Sequence, residues 1–227
     1  MLNMGRIINI GKIYSIQDLN TPSQKLHSNY RDRVKIVVID DEDFIYFDDL
    51  RRSGFNITQY HDIEDLQTLD AFHVIICDIK GIGRHFNSRA EGAFIIRELK
   101  KKHPYKVFAA YTGSTHRIDI NEYLLGVHII KKDIDMDDWC NEIDSLVRKA
   151  VSPQYVWTAI REILLNENVS TLSIARLEHK YVDIILNKNG DFTDLLTDKK
   201  IKISDNVKDI ITTLISNMAI NNAIIGA

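Results

Sequence analysis

The sequence predicts an α/β fold: a doubly wound, five-stranded parallel sheet with a helical extension at its C-terminal end. Five short apolar runs rich in β-branched residues follow one another from residue 34: VKIVVI, NITQY, HVIIC, VFAAY and HII. They are largely unalternated, which is typical of strands buried on both faces. Helix-like stretches separate and follow them, at roughly 44–53, 63–70, 89–102, 116–125 and 135–150. Successive strand–helix units of this kind build parallel sheets through right-handed crossovers.

Composition shifts divide the chain into three predicted parts. Residues 1–33 form a lead segment, residues 34–150 the α/β domain, and residues 151–227 an α-helical region. The last part has apolar residues at helical spacing over 153–168, 171–187 and 205–219. A tail this short has little interior of its own, so we expect it to pack on the domain, on a second copy of the chain or on a protein partner.

Charge and cysteine usage exclude several classes of function. The net charge is −3 and acidic and basic residues are interspersed, so no nucleic-acid-binding surface is evident. The most apolar late stretch, IITTLISNMAINNAII, is too short and too polar to span a bilayer, so no membrane segment is predicted. Cys77 and Cys140 match no metal-binding spacing. We read the two cysteines as reduced thiols, and the sequence shows no secretory signal. Both features predict a cytoplasmic protein.

Polar residues stand where the predicted strands end. Asp40 and Asp41 follow the first strand, Asp78 follows the third, Thr112 the fourth and Lys131 the fifth. In a doubly wound sheet these ends meet at one edge, where ligands bind. We therefore expect these five side chains to converge, although they span much of the domain in sequence.

The chemistry of the five side chains is complementary. Three close carboxylates repel one another unless a cation compensates their charge. Mg²⁺ suits such a site because it binds carboxylates together with retained waters. A hydroxyl from Thr112 and an ammonium from Lys131 would then face the negative oxygens of a substrate. Asp78 is placed as a nucleophile toward phosphorus, and the pattern predicts a phosphoryl-transfer site.

Each residue taken alone has a plainer reading. An Asp at a strand-to-helix junction is most often a helix N-cap or a helix-dipole partner. Thr112 would cap a helix by the same logic, and a lysine beside Lys132 is more often a surface residue. The joint placement of an acid pair, an acid, a hydroxyl and a lysine at four strand ends favours the phosphoryl site.

At these residues the chain resembles the response-regulator receiver domain of two-component signalling. The resemblance covers about residues 34–150 and rests on five segments: IVVIDDEDF, VIICDIK, EGAFIIRELKK, VFAAYTGS and HIIKK. It implies a flavodoxin-like receiver fold and a phosphoryl group accepted by Asp78 from a sensor histidine kinase or phosphotransfer protein. Such a phosphoacceptor catalyses its own phosphotransfer and dephosphorylation and is not a conventional enzyme.

The resemblance also implies roles for the surrounding residues. Asp40, Asp41, Asp78 and the backbone carbonyl of Lys80 would bind Mg²⁺. Thr112 and Lys131 would contact the phosphoryl group, and Thr112 with His128 would form the conformational switch.

The sequence departs from the receiver pattern in four respects. Ile82 replaces the usual proline after the phosphoacceptor, and Lys132 replaces the proline after the lysine. The stretch GRHFNSRA lengthens the loop after Asp78 and adds Arg84, His85 and Arg89 near the site. The segment between Thr112 and Lys131 is short, which predicts a short or distorted fourth helix.

Other functions compete with a phosphorylation-controlled regulator. The chain could be a receiver-like scaffold, or a phosphate sink without an output of its own. A haloacid-dehalogenase-type phosphatase needs a second Asp at position 80, which is Lys80, and no P-loop motif is present. His179 on a predicted helix is more typical of a surface or contact residue than of a phosphotransfer histidine.

Overall fold

A computed structural model describes residues 12–19, 30–113 and 121–187, together with 195, 203–205, 207–209 and 211–212. The predicted loop at 187–200 and the last predicted helix, 205–219, lie largely outside these residues. The first half of the predicted fourth helix, 116–120, lies outside them as well.

The centre of the fold is a five-stranded, fully parallel sheet in the order β2-β1-β3-β4-β5. This order is that of flavodoxin-like doubly wound folds, so the predicted fold class is confirmed. Each strand matches a predicted apolar run to within a residue at either end. The strands are β1 (Lys35–Ile39), β2 (Asn56–Tyr60), β3 (Val74–Asp78), β4 (Val107–Thr112) and β5 (His128–Lys131).

Helices cover both faces of the sheet and continue beyond it. The α-helices are α1 (Tyr30–Arg33), α2 (Phe47–Arg52), α3 (Gly92–Lys102), α4 (Met136–Ala150), α5 (Pro153–Asn166) and α6 (Thr171–Asn187). Short 3₁₀ helices occur at Ile16–Leu19, Leu66–Leu69 and Arg84–Phe86. No helix in the described part of the chain is long and apolar enough to cross a membrane.

Alternate residues of the strands feed two separate cores. Val38, Ile76 and Ile130 point to one face, where they pack with Trp139 and Ile143 of α4. Their immediate neighbours along the strands point to the other face and pack against α3. Because side chains alternate along a strand, the parity of a residue decides which face it joins.

Two predicted helices differ from the observed structure. The stretch 63–70 contains only the 3₁₀ helix Leu66–Leu69, whose first turn Asp65 caps by accepting a hydrogen bond from the backbone N–H of Gln67. Residues 121–125, the described part of the predicted fourth helix, form turns.

Part of the predicted lead segment belongs to the packing of the α/β domain. The hydroxyl of Tyr30 and the guanidinium of Arg31 both donate to the carboxylate of Asp144 on α4, at 2.8 Å and 2.9 Å. The Arg31 guanidinium also lies over the ring of Phe55, 4.6 Å from its centroid. The chain therefore joins the fold before the predicted boundary at residue 34.

The described residues divide into two compact units, one of residues 30–113 and 121–160, and the other of residues 12–19 with 161–187 and the few described residues up to 212. The predicted domain boundaries at 33/34 and 150/151 stay predictions. In the second unit the 3₁₀ helix Ile16–Leu19 contacts α6. The Nδ1 atom of His179 accepts a hydrogen bond from the backbone N–H of Tyr14, and the two rings stack. His179 therefore holds the early segment of the chain against α6.

His73 fastens three central strands at the edge of the sheet opposite their carboxyl ends. Its backbone N–H donates a hydrogen bond to the backbone carbonyl of Lys35, and its backbone carbonyl accepts one from the backbone N–H of Val107. Its ring Nδ1 also accepts a hydrogen bond from the backbone N–H of Lys35, which requires this nitrogen to be unprotonated. Burial, followed by the nearby positive charges of Lys106 and Lys35, lowers the pKa of His73 to about 4.

We expect the fold to lose stability as the pH falls from about 6.5 towards 4, because the unfolded chain binds a proton at His73 that the folded chain resists. The His73→Asn variant should lose about 1–3 kcal/mol of this pH-dependent change in the free energy of unfolding. Urea denaturation at a series of pH values measures it. A residual slope is expected from His103, whose pKa burial also lowers.

His85→Asn is the matched control, because it removes an exposed loop histidine. Equal pH profiles for the wild type and His73→Asn would contradict the assigned role.

Candidate functional site

The candidate site lies at the carboxyl end of the sheet, where three predicted acidic residues come together. Asp40 and Asp41 follow β1, and Asp78 is the last residue of β3. One oxygen from each of the three carboxylates lies within 4.8 Å of the others. The predicted convergence of the acid pair with Asp78 is therefore present in the structure.

Asp78 is held in a buried and well-defined position. The residue is 4% exposed, and its Oδ1 accepts a 2.7 Å hydrogen bond from the backbone N–H of Ile79. The N-terminus of α3 packs directly on its backbone, since a Cβ at Gly92 would lie 1.9 Å from the Asp78 carbonyl oxygen. Only glycine permits this close approach.

The lysine that reaches Asp78 is Lys132. Its Nζ lies 2.7 Å from Asp78 Oδ2 and 3.3 Å from Asp40 Oδ2. The sequence prediction named its neighbour Lys131, which is exposed and pairs in register with Thr112. In the structure, Lys132 occupies the position beside Asp78 that the sequence predicted for Lys131.

Strand alternation is the physical reason for this correction. Ile130 lies in the core on the same face as Tyr111 and Trp139. Two residues further, Lys132 returns to that face, on which Asp40 and Asp78 continue the alternation of Val38 and Ile76. Lys131 has the opposite parity and is directed away from both carboxylates.

Tyr111 is a member of the site that the sequence reasoning missed. It pairs in register with Asp78, and its buried hydroxyl donates a hydrogen bond to Asp40 Oδ2. The Nζ of Lys132 lies 4.7 Å from the centroid of its ring. Tyr111 also packs edge-to-face on Trp139. The sequence signal that could have identified Tyr111 as a member of the site was its position in β4, directly before the predicted site residue Thr112.

Asp41 faces the loop that follows β3. A Cβ at Gly81, which has a φ of +82°, would lie 2.3 Å from Asp41 Oδ2, so glycine is required there for two reasons. The guanidinium of Arg84, in the same loop, forms a 3.1 Å ion pair with Asp41 Oδ2. The sequence placed Arg84 near the site and gave no partner for it.

Burial and charge act in opposite directions on the central ion pair. Burial raises the pKa of the Asp78 carboxyl, and the hydrogen bond from Lys132 only partly offsets this effect. Burial works against the charge of Lys132, but its hydrogen bond with Asp78 and the charge of Asp40 outweigh that cost and raise the pKa of its ammonium. Lys132 is therefore a firmly positive group beside a carboxylate that is costly to ionise.

The remaining predicted residues lie around this centre. Thr112 is the last residue of β4, and its carbonyl accepts a 3.4 Å hydrogen bond from the backbone N–H of Lys132. Lys80 is exposed in the turn after Asp78. His128 lies 2.6 Å from a carboxylate oxygen of Glu142 on α4. A metal-ligand role for the Lys80 carbonyl and a switch formed by Thr112 and His128 stay predictions.

The donor set fits a small divalent cation. Carboxylate oxygens are the ligands that Mg²⁺ prefers, and two oxygens bound to one Mg²⁺ lie at most about 4.2 Å apart. The oxygens of Asp40, Asp41 and Asp78 are already close to that separation. A bound ion would compensate their mutual repulsion and polarise a phosphoryl oxygen.

Comparison with solved structures finds similarity over about half of the chain. A CheY-like response regulator receiver domain protein from Methanospirillum hungatei JF-1 matches with a TM-score of 0.43 and 19% identity, over 52% of this chain and 95% of that chain. The receiver domain of NtrX from Brucella abortus matches with a TM-score of 0.40 and 21% identity, over 50% of this chain and 98% of that chain.

A third similar structure is the signal receiver domain of an HD domain-containing protein from Pseudomonas fluorescens Pf-5. Its TM-score is 0.42 at 11% identity, over 52% of this chain and 97% of that chain. No protein-family model and no curated protein sequence matches the chain. A shared fold does not determine the chemistry of a site, which depends on its side chains.

Removing the hydroxyl of Tyr111 should destabilise the protein, because Asp40 is buried and would lose a hydrogen bond to its charged carboxylate. We expect Tyr111→Phe to lower the free energy of unfolding by about 1–3 kcal/mol. Urea denaturation measures this, with Tyr46→Phe as the control. The Tyr46 hydroxyl donates to the neutral carbonyl of Ile134 at 3.3 Å, so its loss should cost less. An equal or larger cost for Tyr46→Phe would contradict the role given to Tyr111.

Proposed function

We propose that the chain is a response regulator in which Asp78 accepts a phosphoryl group from a histidine kinase or phosphotransfer protein in a Mg²⁺-dependent reaction. One observation carries the proposal. A buried carboxylate at the end of β3 lies within hydrogen-bond distance of a lysine and within metal-ligand distance of two further carboxylates. This combination provides a nucleophile, a fixed positive charge and a cation site in one pocket.

The transfer step follows from the positions of these groups. An oxygen of Asp78 attacks the phosphorus of a phosphohistidine, a new P–O bond forms, and the P–N bond breaks with its electron pair leaving on the imidazole nitrogen of the donor. The Ile79 N–H orients the carboxylate throughout. Lys132, which pairs with Asp78 Oδ2 in the free protein, is placed to stabilise the negative phosphoryl oxygens as they arrive.

Four further features belong to the proposal as expectations. The hydroxyl of Thr112 donates to a phosphoryl oxygen, and the carbonyl of Lys80 completes the cation site. The helices after residue 150 mediate a homodimer or another protein contact. The protein works in the cytoplasm, as the reading of its cysteines as reduced thiols predicts.

Phosphorylation of Asp78 is testable with a small phosphodonor. After incubation with acetyl phosphate and Mg²⁺, intact-mass spectrometry should show one added phosphoryl group that hydroxylamine removes, as expected of an acyl phosphate. Asp78→Asn should show none, and chelation of the metal should prevent the reaction. No added phosphate in the wild type would favour the scaffold, and phosphate that survives Asp78→Asn would refute Asp78 as the acceptor.

The two adjacent lysines provide a matched pair of variants. Lys132→Ala should slow phosphorylation roughly 10²-fold, because it removes the charge that faces the phosphoryl oxygens. Lys131→Ala should change the rate by less than about twofold, since an exposed charge directed away from the site contributes little. Initial rates with acetyl phosphate measure both. A larger effect from Lys131→Ala would restore the original prediction.

Sizing the phosphorylated and free proteins by light scattering then separates a regulator from a phosphate sink. A change in assembly on phosphorylation supports the tail as the output. An unchanged size together with stable phosphorylation favours the sink.

A further inference from the structure

The long loop between β3 and α3 inserts a positive charge beside the acidic pocket. Arg84 is the first residue of the 3₁₀ helix Arg84–Phe86, and its guanidinium pairs with Asp41. The side chain of Arg84 is 74% exposed and that of Asp41 is 36% exposed. The contact is thus at the open side of the pocket, whereas the Lys132 contacts are at its buried side.

The backbone of the loop is anchored so that Arg84 is presented to Asp41. The carboxylate of Asp62, which follows β2, accepts hydrogen bonds from the backbone N–H groups of Gly83 at 2.7 Å and Arg84 at 3.4 Å. The N–H of Gly81 donates to Glu91 at 3.1 Å, which fixes the other side of the turn. Neither anchor is part of the acidic cluster.

The guanidinium is also held by a second contact of its own. The Nε of Arg84 donates to the carbonyl of Gly81 at 3.0 Å, while Nη2 reaches Asp41. Two simultaneous contacts restrict the side chain and lower the entropy cost of the ion pair. The position of Arg84 is therefore built by the loop and does not depend on a single surface ion pair.

We propose that Arg84 is a tethered cation that occupies Asp41 in the free protein and competes with the divalent cation for it. The inference rests on the proposed function, because it concerns the same Mg²⁺ site. Cation binding at Asp41 then has to displace or share the guanidinium, and Arg84 weakens the affinity of the site for Mg²⁺. Phosphorylation becomes dependent on Mg²⁺ concentration in a range that this loop sets.

The size of the effect follows from charge and exposure. A guanidinium a few ångströms from a bound divalent cation repels it, but water at the open side of the pocket screens much of this repulsion. We therefore expect removal of the charge to tighten Mg²⁺ binding by about three- to tenfold. In the wild type, Arg84 therefore weakens the affinity for Mg²⁺ without abolishing binding.

Isothermal titration of the full chain with Mg²⁺ alone, in the absence of a phosphodonor, tests the inference. Arg84→Gln should bind Mg²⁺ about three- to tenfold more tightly than the wild type. Arg89→Gln is the matched control because it removes an equal charge from the same loop. Arg89 is exposed, and the structure gives it no ion pair among the residues it describes. Its affinity should stay within about twofold of the wild type.

Each outcome has a separate meaning. An unchanged or weaker Mg²⁺ affinity in Arg84→Gln, with normal binding by the wild type, overturns the role of Arg84 and leaves the proposed function standing. Loss of Mg²⁺ binding in Asp41→Asn supports the shared carboxylate. The absence of Mg²⁺ binding in the wild type, Arg84→Gln and Arg89→Gln alike overturns the cation site itself, and the inference with it.

Rates of phosphorylation by acetyl phosphate provide a second readout. In Arg84→Gln the Mg²⁺ concentration at half-maximal rate should fall by the same factor as the dissociation constant. A lower rate at saturating Mg²⁺ with no change in that concentration would show instead that Arg84 acts on the phosphoryl group, and would overturn the competition.

Discussion

The contact on which the rest of the site depends is the pair of hydrogen bonds from Lys132 to Asp78 and Asp40. Two buried carboxylates at the ends of neighbouring strands repel each other, and burial makes the ionisation of Asp78 costly. The ammonium between them offsets part of this cost. Because it comes from the residue just after β5, it also joins the last strand to the first and third strands at the edge where ligands bind.

The sheet determines which side chains can take part in this contact. β1 and β3 are neighbours, so Asp40 and Asp78 end adjacent strands with the same parity. Tyr111 lies beside Asp78 on β4 and shares that parity, so its hydroxyl reaches Asp40. Its ring also separates the charged groups from the apolar core around Trp139. The same alternation that builds two hydrophobic cores thus places the polar groups of the site on one face.

The sequence was sufficient to predict the sheet and the acidic cluster, because β-branched runs and strand-end residues are local signals. The short Leu66–Leu69 helix was harder to foresee, since Asp65 caps a 3₁₀ turn where an α-helix was expected. The choice between Lys131 and Lys132 was open to parity counting from Ile130, which becomes buried in the fold. The partners of Tyr111 and Arg84 depend on contacts between distant segments, and no spacing in the sequence encodes them.

The charges of Lys132 and Arg84 are consistent with the proposed phosphorylation of Asp78. In the free protein three carboxylates face two positive side chains, so the pocket is short of one positive charge. A divalent cation that shares Asp41 with Arg84 would leave the pocket with one positive charge in excess. Phosphorylation would replace the single charge of Asp78 with about two negative charges and bring the pocket close to neutral. By this count the cation-bound pocket attracts a negatively charged phosphoryl group. After phosphorylation the pocket is close to neutral, so no net charge repels the bound cation or the phosphoryl group.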